Sequence, residues 1–225
     1  MSYILNIDTS LETATVSIAE NAMIITAAKN DIQKEHAGFL HIAIKEISAQ
    51  ASFDLKNIDA IAVTNGPGSY TGLRVGMASA KGLCYALNKP LITVGNLNAL
   101  AFASISKMRE SVLKNALFCP MIDARRMEVF TSIYDQEMVE ILAPCAMLLN
   151  TESFINFSEK NQIVFSGSGA LKWSKIAALE NSTFLFDTDI TEAISKLSYK
   201  KFKQGDFTDL KYSEPLYVKE FFLAS

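Results

Sequence analysis

The pattern of hydrophobic and polar positions reads as β-structure through the first thirty residues and then turns to helical spacing. Residues 3–7 form a short apolar run that ends in Asp8-Thr9-Ser10. Ala14, Val16 and Ile18 alternate with Thr13, Thr15 and Ser17, the period of a half-buried strand. A turn at Glu20-Asn21 leads into a returning strand over 23–28. From Glu35 the period changes, and Leu40, Ala43, Ile44 and Ile47 predict an amphipathic helix reaching about Ser52. The branched run 60–63 predicts a buried strand, followed by a glycine-rich loop and a helix over 71–87. Asn88-Lys89-Pro90 stops that helix, because proline cannot continue it. A strand over 91–94 and a helix over 97–106 complete the first set.

A second set begins near Ala116. Strands are predicted over 117–122, 128–134 and 138–142, then a helical stretch around 151–157 and a strand over 163–166. Gly167-Ser168-Gly169 opens a helix around 170–179, and 191–203 is helical again. Hairpins followed by crossover units predict mixed sheets with helices packed on them, an α/β fold. The second set repeats the order of the first, so a duplicated architecture is expected. Its halves are residues 1–100, rejoined by 205–225, and residues 101–204.

Composition removes whole classes of function. With 49% apolar and 20% charged residues, the chain is neither disordered nor a coiled coil. The apolar runs are too short for a membrane span, and the start has no basic, then apolar, leader, so a cytoplasmic protein is expected. A net charge of −3 does not advertise nucleic acid. Three scattered cysteines, Cys84, Cys119 and Cys145, suit neither a disulfide framework nor a thiolate site. His36 and His41, five apart on a helix, point about 140° apart and cannot share a metal.

Candidate chemistry sits in three places. Gly66, Gly68 and Gly72 have the wrong spacing for a dinucleotide loop, and no Lys-Ser/Thr pair follows for a Walker loop. A tight strand-to-helix turn capped by Ser69 or Thr71 explains them. In the helix behind, Gly72, Gly76 and Ala80 lie at i, i+4 and i+8 with Leu73 and Met77 as apolar flanks. They could pack on the chain's own sheet or against a partner helix. On the second alternative, a bulky residue at 76 should weaken pairing while the monomer still folds. Asp8-Thr9-Ser10 and Asp123-Ala124-Arg125-Arg126 occupy equivalent turns, where a carboxylate can hold Mg²⁺ and phosphate or simply close an Asx turn. Finally Lys196, Lys200, Lys201 and Lys203 form a basic run, a solvated face or an RNA contact.

Taken together, Ile4-Leu-Asn-Ile-Asp-Thr-Ser10, the stretch Asn65-Gly-Pro-Gly-Ser-Tyr-Thr-Gly-Leu-Arg-Val-Gly76, Asp123-Ala-Arg-Arg-Met-Glu-Val129, Gly167-Ser-Gly169 and Pro215-Leu-Tyr-Val-Lys219 resemble the bacterial TsaB (YeaZ) proteins. The resemblance implies the fold of actin-like ATPases, Hsp70 and sugar kinases, two ribonuclease-H-like halves. It implies a non-catalytic subunit that scaffolds or activates a TsaD-like catalytic subunit beside a small TsaE-like ATPase. Together these put threonylcarbamoyl on N6 of the tRNA adenosine next to the anticodon. Pairing with TsaD, or of the chain with itself, would run through the helices carrying Phe39, Leu40, Gly72, Leu73, Gly76, Met77 and Ala80. Asp8, Thr9, Ser10, Asp123, Gly167 and Gly169 would line a degenerate nucleotide cleft, with ATP or ADP at most a weak ligand and no metal. Working ATPases of that fold carry D-x-G at both turns, and here Ser10 and Arg125 stand in place of the glycines.

Overall fold

The computed structural model describes residues 1–109 and 114–219. The last six positions of the 205–225 segment lie outside the described residues. Among the described residues two units divide the chain, Met1–Asn96 with Thr191–Leu216, and Leu97–Ile190 with 217–219.

The first unit holds β1 (Tyr3–Asp8), β2 (Ala14–Glu20), β3 (Met23–Asn30), β4 (Ala60–Thr64) and β5 (Leu91–Val94) in one sheet, ordered β3-β2-β1-β4-β5. The hairpin strands pair antiparallel, while β4 joins β1 and β5 joins β4 in parallel. Helices α1 (His36–Gln50) and α2 (Tyr70–Leu87) cover one face. Leu5, Ile7, Val16, Ile18, Ile61 and Val63 meet Leu40, Ile44, Ile47, Met77 and Ala80 there.

The opposite face is not open, as the alternation in β2 had suggested. Thr15 and Ser17 are buried with Asn6. A helix rich in small residues, α6 (Thr191–Gln204), lies over that face, packed against β1, β3 and β5. Ser198 Oγ donates to Asn6 Oδ1 at 2.6 Å, and Ser195 Oγ donates to the Ala22 carbonyl at 2.9 Å. Polar positions in the sheet are therefore matched by polar positions in the helix. Residues 191–204 belong to the first unit and not to the expected 101–204 half, to which the order of elements along the chain assigned them. Periodicity reports that a helix has a buried face, not which sheet buries it. Beyond α6, Thr208 bridges Leu91, and the Leu216 N–H donates to the Asn65 carbonyl at 2.5 Å.

The second unit holds most of α3 (Asn96–Lys107), then β6 (Ala116–Asp123), β7 (Glu128–Tyr134), β8 (Glu140–Leu148), α4 (Ile155–Ser158), β9 (Gln162–Ser166), α5 (Ala170–Ser174) and β10 (Ser182–Leu185). Its strand order, β8-β7-β6-β9-β10, repeats that of the first sheet with the same parallel and antiparallel pairings. The fifth strand, β10, escaped sequence analysis because four half-buried residues carry no clear period. β8 runs past the expected 138–142 because Pro144 is tolerated on an edge strand. Trp173, Phe165 and Phe154 form an edge-to-face cluster at the centre of this unit. Both units thus have the α/β, ribonuclease-H-like build that the resemblance implies. No helix among the described residues is long and apolar enough to cross a membrane.

Removing the Ser198 hydroxyl leaves the buried Asn6 acceptor without that donor, at a cost of roughly 1–3 kcal/mol. Ser198→Ala should lower the melting temperature by about 2–4 °C per kcal/mol for a chain of this size. An unchanged melting temperature would place α6 elsewhere.

Candidate functional site

Asp8 ends β1 and Thr9 and Ser10 follow it, all three nearly inaccessible to solvent. Asp8 Oδ1 accepts from the Ser10 N–H (2.9 Å), Ser10 Oγ (2.5 Å) and Thr64 Oγ1 (2.7 Å). Asn96 Nδ2 donates to Ser10 Oγ at 2.7 Å and to the Pro67 carbonyl at 2.7 Å, tying the glycine-rich loop to the same turn. Thr9 Oγ1 donates to the Gly72 carbonyl at 2.6 Å. His36 Nδ1, at the start of α1, approaches the Thr9 carbonyl at 3.3 Å and donates to it. Burial pushes the Asp8 carboxyl above the ordinary aspartate range, although the Ser10 and Thr64 hydrogen bonds and His36 pull the other way.

Gly72 and Gly76 explain how α2 comes so close. A Cβ on Gly72 would fall on the Thr9 carbonyl, and one on Gly76 would lie 2.6 Å from Thr9 Oγ1 and 3.4 Å from Val63. Ser69 caps the helix, its Oγ accepting from the Gly72 N–H at 3.3 Å.

The second turn is closed differently. Asp123 lies at the end of β6, and its Oδ1 accepts from the Arg125 N–H (2.5 Å) and from Lys172 Nζ (2.7 Å). Lys172 also donates to the Arg126 and Glu128 carbonyls, at 2.7 and 3.1 Å. Those bonds hold a connection in which Arg125 and Arg126 both have positive φ, 69° and 48°. Gly167 and Gly169 bring the next loop against β6, where Cβ atoms would meet Met121, and Ser168 Oγ accepts from the Asp123 N–H at 3.1 Å.

The first half groups Asp8, Thr9 and Ser10 and the second groups Asp123 with Gly167 and Gly169, while Gly72 and Gly76, expected at a partner interface, lie against Thr9. Asp8 is buried with its Oδ1 bonded by hydroxyls, whereas Asp123, 42% exposed, pairs through its Oδ1 with a lysine that its place in the sequence does not single out. Lys172 lies 49 residues from Asp123, too far for spacing to reveal it. Among the described residues, no group of three or more His, Cys, Asp or Glu side chains is placed to hold a metal ion.

The partner-facing expectation needs correction. Leu40, Gly72, Leu73, Gly76, Met77 and Ala80 are buried, and half-buried Phe39 packs on the same core. The small stripe faces β1 and β4, because Thr9 and Val63 occupy the space that it leaves. What the helices turn outward is Gly38, His41, Ile42 and Lys45 from α1, with Arg74, Ala78, Gly82 and Tyr85 from α2. Ile42 is 60% and Tyr85 84% exposed, and nothing lies within 4 Å of a Cβ built on Gly38 or Gly82. Ser79 Oγ and His41 Nε2, 3.2 Å apart, join the two helices across this face. Ala78 and Gly82 form a second i, i+4 small pair that the more conspicuous glycines masked.

A family model described as "TsaD: tRNA N6-adenosine threonylcarbamoyltransferase" matches residues 26–208. The chain is 34% identical over 140 residues to the "tRNA threonylcarbamoyladenosine biosynthesis protein TsaB" of Haemophilus influenzae, covering 60% of this chain and just over half, 55%, of that protein. It is 24% identical to the Escherichia coli protein of the same description, over 96% of this chain and 94% of the relative. The solved structure of "YeaZ from Pseudomonas aeruginosa" superposes with a TM-score of 0.78 at 24% identity, covering 96% of this chain and all of that one.

Two substitutions test the site as drawn. Gly76→Leu should destabilise the isolated chain by roughly 1–3 kcal/mol or more through overpacking, and a melting temperature equal to wild type would return this stripe to the surface. Asp8 has a raised folded pKa, so its contribution to stability is present below the ordinary aspartate range and is lost as pH rises through the raised value. Asp8→Asn keeps an acceptor without the charge. Its melting temperature relative to wild type should therefore be higher at neutral pH than at about pH 4. The reverse trend would show that the site favours the carboxylate.

Proposed function

The chain belongs to the family described as TsaD, tRNA N6-adenosine threonylcarbamoyltransferase, on its TsaB (YeaZ) side, and on that premise we propose that it is a non-catalytic subunit in tRNA threonylcarbamoyladenosine synthesis, scaffolding or activating a TsaD-like catalytic partner. The observation that carries this proposal is the fate of the two phosphate turns. Asp8 Oδ1 is held by Ser10 and Thr64, and Asp123 Oδ1 by Lys172. Side chains stand where D-x-G would leave backbone amides open to phosphate, so nucleotide hydrolysis by this chain finds no support.

The outward face of α1 and α2 is the docking surface in this proposal. It combines an exposed aromatic, an exposed branched residue and two glycines with free space above them. Small residues let a partner's helix approach closely, and Tyr85 and Ile42 supply the apolar area that makes a contact specific. Activation then follows if the partner's competent state binds this face more tightly than its idle state, since only differential affinity shifts an equilibrium. A TsaE-like ATPase and tRNA join through the assembly, and pairing of the chain with itself would use the same face.

The test pairs purified chain with the TsaD homologue from the same cell. Tyr85→Ala and Ile42→Glu should each weaken the complex about tenfold or more by calorimetry, as truncation of a central anchor does, with the melting temperature of the isolated chain unchanged. A tRNA modification assay should lose activity when this chain is left out. Full modification without the chain, or pairing untouched by both variants, would overturn the proposal.

A further inference from the structure

We propose that the outward side of α6 binds the phosphate backbone of RNA, taking RNA as the substrate on the reading given above. Lys196, Lys200 and Lys203 are exposed at i, i+4 and i+7, which places them on one side of the helix. The inner side is committed to the sheet through Ser195 and Ser198. Lys196 meets Glu192 only at 3.6 Å, and Lys201, off to the side, pairs with Asp206 at 3.0 Å. Among the described residues Lys200 and Lys203 have no carboxylate partner.

Charge is distributed unevenly for a chain of −3. Residues 193–205 contain four lysines and no acid, so that stretch carries +4 and the remainder −7. Attraction to the helix C-terminus accounts for lysines in the last turn, Lys201 and Lys203. It does not reach Lys196 or Lys200. Acids flank the stretch, Glu192 beside Lys196 and Asp206 beside Lys201, but none lies between Lys196 and Lys203. A row of exposed cations at the spacing of successive helical turns, two of them without a carboxylate partner among the described residues, is what a polyanion recruits.

Position makes the role compatible with docking. α1 and α2 cover the side of the first sheet lined by Leu5 and Ile7, whereas α6 covers the side lined by Asn6. One surface can therefore hold a protein partner while the other meets RNA. At the end of α6, Phe207 is 45% exposed and packs on Phe202 with ring centroids 6.0 Å apart, an aromatic beside the lysine row on which a base can stack.

The experiment measures tRNA affinity of the assembled complex across a salt series, with wild type, the triple variant K196Q/K200Q/K203Q and its arginine counterpart K196R/K200R/K203R. The glutamine variant should bind tRNA at least about tenfold more weakly near 0.1 M salt and lose about two to three from the slope of log affinity against log salt. The arginine variant should retain both, and pairing with the TsaD homologue should be unchanged in all three. Equal slopes and affinities for wild type and the glutamine variant in an intact complex would overturn the proposal. So would loss of binding to vesicles of phosphatidylserine and phosphatidylcholine with tRNA binding retained. A wild-type complex that assembles yet binds no tRNA would instead overturn the functional reading, and this one with it.

Discussion

The first unit depends on one close approach, that of α2 onto the turn at the end of β1. Thr9 reaches under the helix to bond the Gly72 carbonyl, and the space for it exists because Gly72 and Gly76 have no side chains. The same residue takes a hydrogen bond from His36, so α1 and α2 are both referred to a single point on the sheet. Asn96 draws in the glycine-rich loop through Ser10 and Pro67. A turn that could have met phosphate is spent on holding helices in place.

That exchange links the stability of the unit to its chemistry. A buried carboxyl whose Oδ1 accepts from three donors, and whose ionisation burial disfavours, is poorly suited to hold a hydrated cation. The second unit reaches a similar end by another route, with Lys172 bridging Asp123 and two carbonyls of a connection that has two residues at positive φ. In both units the loop glycines bring backbone close to protein, at Thr9 and Met121. The proposed subunit role needs that rigidity. A scaffold that biases a partner's equilibrium must present its face without yielding.

Much of this was legible in the order of residues. An apolar run located β1, alternation located β2 and a turn its returning partner β3, the change of period located α1, and Pro90 marked the end of α2 to within the Asn88 cap at φ 52°. The duplicated order followed from the second set of strands. What was not legible depended on contacts between distant residues. The Gly72–Gly76 stripe has the same spacing whether it faces its own sheet or a partner, and only Thr9, more than sixty residues away, decides between them. The serines of α6 look like solvent-facing positions until Asn6 is seen beneath them. β10 is too short and too evenly half-buried to show a period. Lys172 carries no local sign of its bond to Asp123.

The central claim is that this chain works through the outward face of α1 and α2 and not through its turns. Amide hydrogen exchange on the isolated chain, on the chain with ATP and Mg²⁺, and on the complex with its TsaD homologue tests this directly. The account predicts slowed exchange over residues 37–49 and 74–86 on complex formation, with residues 8–10 and 66–72 unaltered by nucleotide. Unchanged exchange in both helices within a formed complex, or nucleotide-dependent protection of the Asp8 turn in the isolated chain, would contradict it.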